Sequence, residues 1–213
     1  MGIYIFKREA LEYLLAEDPR EDFGKHLIPT EIKKKKTAAF VYEGYWEDIG
    51  TISSFYEANM SLTNPHEIRL KMHDESNPIY TKENHLPGTK VWGTKIDGSI
   101  LCEGGVISAR ELIHSIVGLR IAIKENTIIK DSILMGNNFY KPPSHQHHLP
   151  DKFEIGEKCL IEKAIIDEHV LIGNNVQLIN KNHLQTYDGN GIFIRDGIII
   201  VTSGAHIPDG FCI

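Results

Sequence analysis

Eight residues, Gly44-Tyr45-Trp46-Glu47-Asp48-Ile49-Gly50-Thr51, set carboxylates, two aromatic rings and two glycines side by side. Such a set suits a sugar-phosphate pocket: an aromatic wall, a metal-binding oxygen, and glycines that let backbone approach a ligand. Glu47 and Asp48 are adjacent, so on a strand they face opposite ways and one alone enters the site. On these residues alone, an aromatic-rich strand end with a surface acid explains the segment equally well. A second cluster, His145-Gln146-His147-His148, has the residue type for metal ligation but no acid or cysteine beside it. A solvated loop with adventitious metal affinity is the simpler reading. Cys102, Cys159 and Cys212 are too scattered for a disulfide framework or a CxxC zinc site, which fits a reducing, cytoplasmic setting.

The elements that must position these groups read as two kinds of structure. A chain of 213 residues can bury a real core in one or two domains. The net charge of -6 argues against a general nucleic-acid or membrane-surface binder. No apolar run approaches a membrane span, and the start lacks the pattern of a secretory signal. Residues 3–6 read as a strand covered on both faces. A helix follows at about Arg8–Ala16, with Leu11, Leu14 and Leu15 on one face and Asp18-Pro19 closing it. Asp22 to Ile28 reads as a turn entering a small helix that stops before Pro29. Lys33 to Lys36 reads as a solvated approach to a strand at Ala38–Tyr42. Ser53 to Ser61 reads as a helix with Phe55, Met60 and Leu62 apolar. Residues 63–95 are weakly periodic and read as a surface linker.

From Ile96 a period of six takes over. Leu101, Ile107 and Ile113 form one series; Val117, Ile123 and Ile129 the next; then Leu160, Ile166, Ile172 and Leu178; then Val201, Ile207 and Ile213. Gly, Asn or Asp falls between them. This is the pattern of a parallel β-helix of hexapeptide turns, three to a triangular coil, with aliphatics stacked inward and turn-prone residues at the corners. Pro142, Pro143 and Pro150 cannot sit inside a coil, so residues 136–154 must bulge out as a loop.

A nucleotidyltransferase-like domain end followed by such a β-helix resembles the ADP-glucose pyrophosphorylase family (glucose-1-phosphate adenylyltransferase), in a form closer to the plant and cyanobacterial enzymes. The matching segments include Met1-Gly2-Ile3-Tyr4, Asp22-Phe23-Gly24-Lys25, Gly44 through Thr51, Phe55-Tyr56-Glu57-Ala58-Asn59, Ser115-Ile116-Val117-Gly118-Leu119-Arg120, Ile179-Asn180-Lys181-Asn182 and Ile207-Pro208-Asp209-Gly210. The resemblance implies the C-terminal remnant of an α/β nucleotidyltransferase domain (1–62), a linker (63–95) and a left-handed parallel β-helix (96–213). It also implies the reaction of ATP with glucose-1-phosphate to give ADP-glucose and pyrophosphate, for glycogen or starch synthesis. There the sugar-phosphate oxygen attacks the α-phosphorus, a step served by alignment and charge neutralisation. Asp48 would be the second of two Mg²⁺-binding carboxylates, Trp46 would pack against glucose, and Tyr4, Asp22 and Phe23 would contact the sugar or its phosphate. Lys181 and Arg195, with Arg120 behind them, would hold an anionic effector. Asp196 beside Arg195 puts a negative charge next to that site.

No Gly-rich phosphate loop occurs in the sequence. The resemblance thus covers the second half of such an enzyme, and the expectation is a fragment, a truncated frame or one part of a split enzyme. It would be inactive alone, bind ATP only with an N-terminal half, and join a homo- or hetero-oligomer. Two other readings stay open: a non-catalytic regulatory or scaffold subunit, and a hexapeptide acyltransferase using His114 or His169 as base. The last leaves Asp22–Gly24 and Tyr45–Thr51 unexplained.

Overall fold

The computed structural model describes residues 3–20, 22–34, 37–66 and 70–213. Met1 and Gly2 of the N-terminal motif, and Lys35 and Lys36 of the basic run, lie outside the described residues. The chain divides into two compact units between Trp46 and Glu47.

The first unit is built on helices. Helix α1 spans Arg8–Glu17 and ends where Asp18 turns extended. Of its three leucines Leu14 is buried, Leu11 half-buried and Leu15 exposed, so the expected three-leucine face narrows to one anchor. Arg20 donates to the Asp18 carboxylate (Nε to Oδ1, 2.7 Å) and holds its pKa down to about 2. A π-helical turn at Phe23–Leu27 runs straight into α2, Ile28–Lys34. Pro29 therefore does not end a helix, as the sequence reading expected. It sits in the first turn of α2, where a missing N–H costs no intrahelical bond. The strands expected at 3–6 and 38–42 do not form either. Neither segment pairs with another among the described residues, and Ile5, Phe40 and Val41 are 98%, 88% and 77% exposed. A strand without a neighbour has no ladder to hold it.

The second unit opens with α3, Ile52–Ser61. Thr51 and Ser54 form a reciprocal capping box at its start. Ile52, Phe55, Tyr56 and Met60 pack on Ile133, Ile165 and Ile198, and the Tyr56 hydroxyl donates to the Asp131 carbonyl at 2.6 Å.

The rest is a parallel β-helix of three sheets, with strands numbered along the chain. One face stacks β1 (Lys90–Val91), β4 (Val106–Ile107), β7 (Ala122–Ile123), β10 (Glu154–Ile155), β13 (Leu171–Ile172) and β18 (His206–Ile207). The second stacks β2 (Lys95–Asp97), β5 (Glu111–Ile113), β8 (Ile128–Lys130), β11 (Leu160–Glu162) and β14 (Gln177–Leu178). The third stacks β3 (Ile100–Leu101), β6 (Ile116–Leu119), β9 (Ile133–Gly136), β12 (Ala164–Ile166) and β17 (Ile198–Val201), then β16 (Ile192–Arg195) and β15 (Thr186–Asp188).

The pairing fixes which aliphatics stack inward. Ile107, Ile123, Ile155, Ile172 and Ile207 form one buried ladder. Leu112, Ile129, Ile161 and Leu178 form another. Two expected core positions are off by one: Leu112 points inward rather than Ile113, and Ile161 rather than Leu160. The cause is that the step is not always six. Only five residues separate Ile107 from Leu112, and Ile161 from Ile166.

At the corners the backbone enters the left-handed region, and residues with side chains do so repeatedly: His114, Asp131 and Lys163 in one column, Asn126, Lys158 and Asn175 in another. A third column holds Arg120 and His169. Buried hydroxyls complete the frame. Ser132 donates to the Lys130 carbonyl and accepts from the Ala164 N–H, and Thr127 bonds Gly156 and Cys159 in the same manner.

Residues 137–153 leave the coil as the expected loop. A second excursion, the antiparallel pairing of β15 with β16 and of β16 with β17, was not anticipated. Its signal was Asp188-Gly189-Asn190-Gly191 between two runs rich in aromatic and branched residues.

Candidate functional site

The structure brings Tyr4, Asp22 and Phe23 together within the first unit. Tyr4 and Phe23 stack with centroids 6.3 Å apart, and Phe6 meets Phe23 edge-on at 6.1 Å. A Cβ at Gly24 would lie 3.5 Å from Asp22 Oδ1 and 4.0 Å from the Tyr4 hydroxyl, so both polar groups border the space that this glycine leaves open. Asp22 is already engaged: its Oδ1 accepts the Lys25 N–H at 2.9 Å, and Lys25 Nζ stands 3.7 Å from Oδ2. The Lys25 backbone N–H first, then the Lys25 charge, holds the Asp22 carboxyl below its ordinary range. The carboxylate thus caps the π-helical turn while keeping an ionised oxygen exposed. Trp46, in the same unit, is 46% exposed.

Asp48 belongs to the second unit. Its Oδ1 accepts the Gly50 N–H at 2.9 Å, which fixes the turn leading to the capped start of α3. Among the described residues Oδ2 has no hydrogen-bond or ion-pair partner. One exposed, ionisable carboxylate oxygen fits a single ligand of a Mg²⁺ ion, which usually takes one or two carboxylates plus substrate phosphates. Among the described residues no three His, Cys, Asp or Glu side chains come together as a ligand group, the His145–His148 segment included.

The three cations proposed for an effector differ in freedom. Lys181 donates to Gln177 Oε1 at 2.7 Å and lies 3.5 Å from Cys212 Sγ, with its ammonium otherwise exposed. Arg195 is tied into its own hairpin: it donates to the carbonyls of Tyr187 (3.0 Å) and Ile194 (2.8 Å) and pairs with Asp188. Asn180 Nδ2 reaches the Gly197 carbonyl at 3.4 Å, so the chain segments bearing Lys181 and Arg195 are neighbours. Lys163, not singled out from sequence, joins this surface: its Nζ would lie 3.7 Å from a Cβ at Gly197. No pattern in the sequence marks it: its place at a coil corner shows only in its left-handed backbone, with a φ of 50°. Arg120 donates to the Asn137 carbonyl at 3.0 Å and covers the Tyr140 ring, which anchors the start of the 137–153 loop.

The two histidines considered as bases are placed differently. His114 Nδ1 stands 3.6 Å from Asp131. His169 is buried between Phe139 and Phe153, and its Nε2 accepts the Asn138 N–H at 3.2 Å. That nitrogen is therefore occupied and cannot take a proton from a substrate without breaking the contact.

Two family comparisons match this arrangement in chain order. Residues 1–65 match the nucleotidyl transferase model, and residues 84–212 match the GLGC left-handed parallel beta-helix domain. The chain belongs to the ADP-glucose pyrophosphorylase family. It has the architecture of that family's C-terminal half, and the coil is the left-handed β-helix expected from the sequence. The family boundary and the physical one differ. Helix α3 falls within the nucleotidyl transferase match, yet it packs on the β-helix. Among the described residues no helix is long and apolar enough to cross a membrane.

Proposed function

We propose that this chain supplies the sugar-phosphate portion and the regulatory β-helix of a glucose-1-phosphate adenylyltransferase. It would work with a nucleotide-binding portion that carries the Gly-rich loop. The observation that carries this reading is the succession of a nucleotidyl transferase match and a GLGC β-helix match, with Trp46 and Asp48 in the first of them. Trp46 offers an exposed ring to the apolar face of glucose, while Tyr4 and Asp22 offer a hydroxyl and a carboxylate for sugar hydroxyls. Asp48 would give one oxygen to Mg²⁺, which neutralises phosphate charge when bound. Lys181, with Lys163 beside the neighbouring segment, would attract an anionic effector, and Arg195 would first have to leave Asp188. The setting is cytoplasmic and the assembly an oligomer.

The test is ADP-glucose formation from ATP, Mg²⁺ and glucose-1-phosphate, by this chain alone and with a family N-terminal half. The expected outcome is activity only in the complemented sample, with Asp48→Asn lowering kcat by about a hundredfold or more. Bound but silent partners would favour a regulatory scaffold instead. Full activity of the isolated chain would overturn the division of labour.

A further inference from the structure

The first turns of the β-helix carry a depression unrelated to the residues above. At one corner, five residues separate Val91 from Ile96 and Ile107 from Leu112, whereas six separate Ile123 from Ile129. The first two coils are therefore one residue shorter at this corner than the third. The corner steps back there, and Glu125 and Asn126 of the third coil stand out as a ledge. The result is an open depression of about 430 Å³. Buried Ala109 forms its floor, and Trp92, 55% exposed, forms one wall. Arg110 and Ser108 lie between wall and ledge.

These parts are held rigidly while their ends stay free. The backbone N–H groups of Trp92 and Ser108 bond the carbonyls of Ile107 and Ile123, each at 2.9 Å. The side chains of Ser108, Glu125 and Asn126, in contrast, make no hydrogen bond within the described protein. The rim is not cationic: Arg110 faces Glu111 at 3.5 Å, and Glu125 adds a second carboxylate. A phosphate-bearing ligand gains nothing there. What fits is a neutral molecule with an apolar face for the indole and many hydroxyls for amide, carboxylate and serine. Three coils at about 4.8 Å per rung give a ladder of roughly 10 Å, the reach of a short chain of sugar rings rather than one ring.

We propose that the Trp92 corner is a binding site for neutral pyranose oligosaccharides, separate from the sugar-phosphate residues and independent of the catalytic reading. Trp92 stacks on a sugar ring, and Ser108, Glu125 and Asn126 bond hydroxyls along the ladder.

The test starts from Trp46→Phe, which leaves Trp92 as the sole indole, so that tryptophan emission reports on this corner alone. Maltoheptaose and cellohexaose are titrated in turn, with AMP as control. The expected result is a saturable change in Trp92 emission with at least one glycan at millimolar concentration, and none with AMP. Saturation-transfer NMR should show the same glycan on the wild type and lose it in Trp92→Ala. A second variant guards against misfolding. Asn126 has a φ of 62°, so Asn126→Gly removes the amide while keeping a backbone that glycine adopts freely. It should weaken binding about fivefold, the loss of one side-chain hydrogen bond, at an undiminished Tm. Silence with both glycans, a response to AMP in their place, or unaltered binding in Asn126→Gly would overturn the proposal.

Discussion

The two compact units treat apolar side chains in opposite ways. In the β-helix nearly every inward aliphatic is covered, because each coil offers the next a surface of the same shape. Among the described residues of 3–46, Ile3, Ile5, Phe40 and Val41 stand in solvent, and only Leu14 and Leu27 are fully buried. Sequence hydrophobicity alone does not separate the two. The difference lies in whether the partner surface is supplied by the same stretch of chain. A repeat supplies its own, whereas a lone pair of helices with extended flanks does not.

That contrast can be broken most sharply inside the coil. At Gly118 a Cβ would sit 2.2 Å from the Met135 carbonyl oxygen and 2.7 Å from that of Leu134, both backbone atoms that cannot move aside. Gly118→Ala should cost about 3 kcal/mol, read as a lower midpoint in urea. An unchanged midpoint would mean that the rungs are looser than they look.

Helix α3 sharpens the boundary of the comparison. If it belongs to the β-helix, Tyr56→Phe, which removes the bond to Asp131, should cost about 1 kcal/mol of β-helix stability. Burial, followed by the Asp131 and Glu162 carboxylates, raises the Tyr56 pKa. A group whose folded pKa is raised contributes stability below its unfolded value, lost as pH climbs toward the folded one. Tm of the wild type should therefore fall above about pH 10, and Tyr56→Phe should flatten that part of the curve. Equal alkaline loss in both proteins would place α3 outside the cooperative unit.

Smaller effects probe the corners. Lys158 adopts a φ of 57° and its side chain makes no hydrogen bond among the described residues, so Lys158→Asn should stabilise by about 0.5 kcal/mol in thermal melts. In the first unit, Ile5→Ser should change stability by less than about 0.5 kcal/mol, since the side chain is 98% exposed. A larger loss would show that Ile5 is covered in solution.

Much of this was legible in the residues. The six-residue rhythm exposed the β-helix because inward positions must be aliphatic at a fixed step. The same rule misplaced Ile113 and Leu160 where the step shortened to five, a length change that composition does not mark. Corners occupied by His114, Lys158 and Lys163 were invisible, since a side chain pointing to solvent leaves no trace in hydropathy. At the candidate site, residue types alone fit a surface acid as well as a pocket, so the roles proposed for Trp46 and Asp48 rest on the resemblance, and the engagement of Arg195 depends on the hairpin that turns at Asp188-Gly189-Asn190-Gly191. The strands expected at 3–6 and 38–42 had the right composition. They lack the neighbour that composition cannot supply.

The loop at residues 137–153 has a consequence for how this scaffold tolerates change. The chain departs after Gly136, and on return Ile155 pairs with Ile123 on one side and Ile172 on the other, in unbroken register. The excursion adds length without adding phase. Away from Phe139, Tyr140 and Phe153, which pack on His169 and Arg120, the loop can therefore take added length, since closure entropy grows only slowly with segment length. A foreign peptide grafted near residues 144–148 would be carried as cargo, with the rungs above and below still counting in step.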